Sequence, residues 1–367
     1  MSITTIAAVL RSADGPLTLD EVTLDDPGPG EVAVRIAGVG VCHTDFLART
    51  PVAAPPLVPG HEGAGVVEAV GAGVAGLTVG DAVVLSFDSC GHCHNCRGAH
   101  PAYCDTFWVR NLSGFRADRP VTARDGGGNP LGANWFGQSS FAEVAVVKAG
   151  NAIKVDSDLP VHLLGPLSCS ILTGAGSVFN VLAVEPGSSV AIYGAGAVGL
   201  AAVMAAKVAG ASTIVAVDKR PERLALAEKL GATHVLTAEE GGVARSIRTV
   251  ARGGVQAVLD TTGNPRVVAD AVDALAMRGV CGCVGTQLQP FSLNPGQMVG
   301  RTITGILEGD AVPNLLIPRL IRLWRDGNFP FDELVTFFPF DEINEAEAAT
   351  RRGDVVKPIL LPTGDTR

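Results

Sequence analysis

The arrangement of apolar and polar positions changes twice along the chain. In the first part Glu31–Ala37 alternates apolar and polar residues, while Gly65–Val70 and Ala82–Phe87 are short apolar runs. Gly and Pro punctuate the intervals between them, as expected for short strands in a β-rich region. Near Ser188 the rhythm becomes strand followed by helix. Strands are predicted at Ser189–Tyr193, Thr213–Asp218, Val255–Asp260 and Val280–Gly285. Helices are predicted at Ala197–Ala209, Pro221–Leu230 and Asn264–Ala276, the first two closing at Gly210 and Gly231, residues suited to a helix C-terminus. Such alternation implies right-handed crossovers and a parallel sheet covered on both faces. After about Gly305 the pattern is irregular again, with helices predicted at Pro318–Trp324 and Asp341–Arg351 and a closing strand at Val355–Leu361. The expected fold is α/β: a β-rich part, a doubly wound parallel-sheet part, and a short return segment that makes the first part discontinuous. No internal repeat is evident, and Arg124–Pro130 reads as a loop tip.

Composition narrows the function classes. The 367 residues exceed the size at which a single core stops growing, ~250–300 residues, so two domains, or one large α/β unit, are expected. A hydrophobic content of 47% is ample for both, and no segment has a disordered composition. The net charge of −9 argues against nucleic acid, which needs clustered Lys and Arg. The most membrane-like stretch, Val190–Ala206, is broken by three glycines and ends at Lys207, whereas a spanning helix needs ~20 apolar residues. It reads as a buried strand plus a buried helix. Met1–Leu10 lacks a charged leader and a long apolar core. A soluble, cytoplasmic protein with no membrane partner is expected.

The eight cysteines divide by spacing. Cys90-Gly-His-Cys93-His-Asn-Cys96 is followed after seven residues by Cys104. Four thiolates on one short lobe can close a tetrahedral zinc site, and a site filled by four protein ligands is structural. Two disulfides or free thiols are the competing reading. His92, His94 and His100 fall in the same lobe and read as surface residues. Cys281 and Cys283 share one face of a predicted strand and read as core.

Gly194-Ala-Gly196-Ala-Val-Gly199 lies between a predicted strand and a predicted helix. There the first glycine makes a tight turn, the second lets the backbone approach a pyrophosphate, and the third allows close helix–strand packing. The helix N-terminus then offers unpaired N–H groups to phosphate. Asp218 ends the next strand, 19 residues beyond Gly199, where a carboxylate would bond the adenosine ribose. That favours NAD over NADP, although Lys219 and Arg220 keep NADP open. A helix–sheet turn without a ligand is the alternative.

A third signal is dispersed: Cys42-His43-Thr44-Asp45, Gly60-His61-Glu62-Gly63, and Cys169. Singly, each has a core or surface explanation. Together, two Cys and one His supply three zinc ligands with one position open, the form of a catalytic site.

These motifs resemble those of the zinc-dependent medium-chain alcohol dehydrogenases, over nearly the whole chain from about Ala7 to Leu361. Leu85–Cys93, Phe136–Ala142 and Glu308-Gly-Asp310 point to the aryl-alcohol (benzyl-alcohol) subfamily, with geraniol and perillyl alcohol dehydrogenases as near relatives. The resemblance implies a GroES-like catalytic domain formed by 1–170 and 308–367, into which a Rossmann NAD-binding domain, 171–307, is inserted. It implies two zinc ions per chain, a structural one at the four-cysteine lobe and a catalytic one on Cys42, His61 and Cys169. Glu62 would approach the catalytic zinc transiently and Asp45 would orient His61. Thr44 would bond the substrate oxygen and take its proton. His43 and Lys357 would face the pyrophosphate, Thr173 the nicotinamide, and Asp218 with Arg223 the adenosine ribose. Many members carry a proton-relaying His five residues after the first ligand Cys; here that position is Leu47, as is common among aryl-alcohol members. Phe87, Trp135 and Phe136 map to substrate-pocket positions, with core packing as the alternative.

The function so implied is reversible, NAD-linked oxidation of a primary hydrophobic alcohol, aromatic in type, to its aldehyde. The rivals are a terpene or aliphatic alcohol dehydrogenase, a thiol-adduct dehydrogenase, and a non-catalytic zinc-stabilised NAD-binding protein. A homo-oligomer is expected, a dimer ahead of a tetramer.

Overall fold

Glu31–Gly40 is the central strand of the β-rich part, and nearly all its residues are buried, Arg35 being exposed. It is covered on both faces, which is why its sequence alternates only briefly. The computed structural model describes residues 2–116, 119, 121–239, 241–285 and 289–362. Glu31–Gly40 pairs antiparallel with Glu62–Val70 and with Val144–Lys148. Among the described residues it belongs to a seven-stranded sheet, completed by Val335–Pro339, Lys357–Leu361, Ala82–Leu85 and Ala152–Lys154. A three-stranded sheet joins Ser2–Leu10, Leu17–Asp25 and Ala123–Asp125. These elements fall in a unit made of the described residues up to Cys169, Pro313–Pro318 and those from Asp332 onward.

The second unit comprises Ser170–Val312 and Arg319–Phe331. Among the described residues its sheet has six parallel strands in the order His234–Thr237, Thr213–Asp218, Ser189–Tyr193, Val255–Asp260, Leu275–Cys283, Thr302–Gly305. Numbered within the unit this is 3-2-1-4-5-6, the doubly wound order whose switch point lies beside the first strand. Ala197–Val208 is buried from Gly199 through Ala206, a helix covered on all sides. The apolar stretch from Val190 to Ala206 is therefore strand, turn and interior helix. Among the described residues no helix is long and apolar enough to cross a membrane.

Several expectations shift. The helix expected at Pro318–Trp324 runs from Pro313 to Arg325, because Pro313 occupies the first turn, where a missing N–H costs nothing, and Pro318 is accommodated inside. Residues 170, 308–312 and 319–331, expected with the first domain, belong to the second unit, where Arg319 stacks on Phe179 and Trp324 packs against Phe331. The loop tip at Arg124–Pro130 begins as a strand, and Asp125 Oδ1 then accepts from the N–H groups of Gly127 and Asn129 to close the turn. Cys281 lies in the core of the second unit, with Cys283 packed against that core.

Candidate active site

Cys42, His61 and Cys169 reach one point through three separate strand ends and turns. Cys42 follows the strand Glu31–Gly40 and caps the short 3-10 turn His43–Arg49. His61 precedes the strand Glu62–Val70, and the pairing of Gly40 with Glu62 sets the two segments side by side. Cys169 closes the turn Gly165–Ser168. The ligand atoms of Cys42, His61, Glu62 and Cys169 all lie within 4.8 Å of one another. Asp45 Oδ1 sits 2.6 Å from His61 Nδ1, and its carboxylate also accepts from the N–H groups of Gly60 and Cys42. Nδ1 thus engaged, His61 Nε2 is buried with no partner in the protein. Two thiols and a buried imidazole nitrogen with no hydrogen-bond partner match the donor chemistry of a catalytic zinc site. A hydrogen bond with Cys169 holds the Cys42 thiol well below its ordinary pKa against the effect of burial, with Lys357 and His61 adding to the shift.

Lys357, expected at the pyrophosphate, is buried within this unit. Its ammonium donates to both oxygens of Glu62, at 3.0 and 2.8 Å, and to the Val41 carbonyl at 3.2 Å. Burial alone would lower its pKa, but the carboxylate outweighs that and holds it above its ordinary value. Thr44 is half-buried and His43 exposed in the 3-10 turn beside Cys42.

The four sulfurs of Cys90, Cys93, Cys96 and Cys104 also lie within 4.8 Å of one another. Backbone N–H groups of His92 and Cys93 point at Cys90 Sγ, and those of Cys96 and Cys90 at Cys93 Sγ and Cys104 Sγ. Amides directed at sulfur stabilise thiolates, so the lobe is preformed for a metal. His92, His94 and His100 are exposed and outside that group.

In the second unit the glycine turn has the steric features of a dinucleotide site. Gly194 takes φ +95°, and a Cβ there would meet Thr261 Oγ1 at 2.3 Å. A Cβ on Gly199 would lie 1.8 Å from the Gly194 carbonyl oxygen, so only glycine permits this helix–strand approach. A Cβ on Gly196 would meet nothing within 4 Å, leaving open space over the helix N-terminus. Asp218 accepts from the N–H groups of Ala195 and Arg220, tying the turn to the end of the second strand. Arg223 is buried, and desolvation lowers its pKa against the pull of Asp218. Thr173 is buried and donates to Glu308 at 3.5 Å.

Phe87, Trp135 and Phe136 are all buried. The Phe136 ring lies 4.7 Å from the His61 ring, and Phe107 packs on both Phe136 and Phe87. Phe107 was missed in the sequence because nothing local distinguishes it, though it follows Cys104 by three residues. Gln138 was also missed: its side chain donates to the His61 carbonyl and accepts from Gly63 N–H, strapping the ligand segment.

Comparison with known proteins agrees with this geometry. Residues 28–157 match the alcohol dehydrogenase GroES-like domain and residues 197–323 the zinc-binding dehydrogenase family. A geraniol dehydrogenase of Castellaniella defragrans is 45% identical over 361 residues, 97% of each chain. The crystal structure of benzyl alcohol dehydrogenase from Acinetobacter calcoaceticus superposes with TM-score 0.93 at 42% identity, covering 98% of this chain and 99% of that one. An alcohol dehydrogenase zinc-binding domain protein from Burkholderia ambifaria gives TM-score 0.96 at 47% identity over 98% and 99%.

Proposed function

Because the chain belongs to the zinc-dependent medium-chain alcohol dehydrogenases, with zinc and NAD as cofactors, we propose that it reversibly oxidises a primary, benzylic alcohol to its aldehyde. The observation that carries the substrate class is the aromatic wall beside the metal ligands, where Phe136 lies 4.7 Å from His61 and Phe107 links it to Phe87. Flat apolar rings suit an arene, and a few polar groups then fix its hydroxyl.

Zinc supplies Lewis-acid polarisation of the alcohol oxygen, and NAD supplies the hydride acceptor. Cys42, His61 and Cys169 hold the metal. Asp45 keeps the proton on Nδ1 of His61, so that Nε2 presents its lone pair. Thr44 Oγ1 would bond the alcohol hydroxyl and take its proton while giving up its own toward the exposed His43 or water, the position of the family's relay His being Leu47. Gly196 leaves room for the pyrophosphate, while Asp218 and Arg223 receive the adenosine ribose. Burial of His61, Glu62 and Cys169 keeps bulk water from the reacting oxygen.

An allylic terpene alcohol is the second reading, favoured by the 45% identical relative named as a geraniol dehydrogenase. Both readings are tested by kcat/KM for benzyl alcohol, geraniol, hexanol and ethanol with NAD⁺. The proposal expects benzyl alcohol first, with hexanol and ethanol lower by at least about tenfold, the discrimination a few apolar contacts can supply. Geraniol ahead of benzyl alcohol favours the second reading. Equal values for all four alcohols overturn both.

A further inference from the structure

Three rings of the aromatic wall are tied together by one buried amide. Asp88 directly follows Phe87, and the Asn111 side chain clasps its backbone. Asp88 N–H donates to Asn111 Oδ1 at 2.8 Å, and Asn111 Nδ2 donates to the Asp88 carbonyl at 2.9 Å. Asn111 Nδ2 also donates to the Phe107 carbonyl, at 2.8 Å. The backbone behind Phe87 is thereby joined to that of Phe107, and the two rings lie 5.7 Å apart. Asn111 is fully buried. One N–H and two C=O groups facing it admit a single orientation of its amide.

Phe136 is held from the same place. It takes φ +50°, a conformation that costs a bulky residue energy and persists only where the surroundings impose it. Gly137 follows it, and a Cβ there would lie 2.9 Å from Asp88 Cβ and 2.5 Å from Asn151 Nδ2. The strained segment therefore presses directly on the residue that Asn111 clasps. Asp88 is anchored in turn, its Oδ2 accepting from Lys148 at 2.8 Å and from Arg110 at 3.1 Å.

We propose that Asn111 is a positioning residue for substrate selectivity, which sets the spacing of Phe87, Phe107 and Phe136 and so fits the wall to a flat ring. This role rests on the reading of those three residues as the wall that receives the substrate. Asn111 acts through the backbone groups it holds. A planar arene gains contact only where the rings keep their offsets and tilts. Ethanol has no ring to seat, so its turnover does not depend on that spacing.

The test uses the full-length enzyme, with kcat and KM for benzyl alcohol and ethanol at saturating NAD⁺. Zinc content and urea midpoint are read on the same preparations. N111A is expected to raise KM for benzyl alcohol by at least about tenfold and to leave KM for ethanol within about twofold, with two zinc ions per chain retained. N111D keeps the shape and the acceptor for Asp88 N–H and covers the case in which N111A does not fold; an intermediate rise in KM for benzyl alcohol is expected. Asn344 clasps Leu17 in the same way, at 2.9 Å to both N–H and C=O, and serves as the control for a merely structural amide. N344A should keep the wild-type ratio of kcat/KM for the two alcohols. An unchanged ratio in N111A or N111D, an equal loss for both alcohols, or the same fall in N344A overturns the positioning role alone. A wild-type enzyme with no preference for benzyl alcohol over ethanol overturns the reading of the wall, and the proposal with it.

Discussion

Nδ1 of His61 lies 2.6 Å from Oδ1 of Asp45, and the same carboxylate bonds the backbone of Gly60 and Cys42. One side chain therefore fixes the tautomer and tilt of one ligand and the backbone that carries another. Asp45 lies in the first turn of the 3-10 helix His43–Arg49, which follows the strand whose Gly40 pairs with Glu62, the residue after His61.

Asp45→Asn preserves the size of the side chain and an acceptor oxygen but removes the charge that favours Nδ1 protonation. The expected outcome is a fall of about 10–100-fold in kcat/KM, with partial loss of the catalytic zinc and retention of the structural one. Metal content and steady-state kinetics on the same preparation check it. Full zinc content with unchanged kcat/KM would show that the ring is oriented by packing alone.

The glycine turn separates binding from folding. A methyl group on Gly196 meets nothing within 4 Å, whereas one on Gly199 lies 1.8 Å from the Gly194 carbonyl oxygen. Gly196→Ala should fold with a wild-type unfolding midpoint and bind NAD at least about tenfold more weakly, because the methyl occupies the phosphate's place. Gly199→Ala should lower the midpoint itself, since helix and strand must move apart. Calorimetric NAD binding and urea unfolding on both variants distinguish the two effects.

Features legible in the sequence were those whose partners lie close along the chain. The spacing of Cys90, Cys93, Cys96 and Cys104 announces one lobe, and the Gly194–Gly199 turn sits between elements that periodicity could place. The strand His234–Thr237 escaped notice because it is a short edge strand, half-exposed and without alternation or an apolar run. The Lys357–Glu62 pair joins residues 295 apart, and Gln138 reaches His61 across 77 positions. No local pattern encodes either contact. The resemblance, not any local pattern, assigned Lys357 to the pyrophosphate; its contact with Glu62 comes from the pairing of Lys357–Leu361 with Glu31–Gly40.

The four-cysteine lobe predicts a stability effect rather than a chemical one. Cys93→Ser removes a sulfur that receives the Cys96 N–H and is held near pKa 6, chiefly by backbone bonds from Asp105 and Cys96. Zinc content should fall from two ions per chain to one, and the 90–104 segment should become susceptible to limited proteolysis, because a closed zinc site contributes directly to folding. Two zinc ions and unchanged proteolysis in Cys93→Ser would mean that this cysteine is not a ligand.

Glu347 gives the turn that carries Thr44 an acid-sensitive anchor. It accepts two bonds of 2.8 Å from Arg49, the last residue of that turn, and one of 2.8 Å from Arg351. Burial would raise the Glu347 pKa, but the two guanidinium groups outweigh it and hold the carboxyl below its ordinary value. A pKa lowered by folding contributes stability at pH above the unfolded value, about 4.3, and that contribution is lost as pH falls through the folded one. Glu347→Gln should therefore unfold at lower urea than the wild type at pH 7 and pH 5.5 by a constant margin. The margin should shrink below about pH 4.3, as the wild-type carboxylate is protonated and the two proteins become alike. Urea midpoints for both proteins at pH 7, 5.5, 4 and 3.5 test the linkage, and a margin that persists undiminished to pH 3.5 would remove the carboxylate's charge from the explanation.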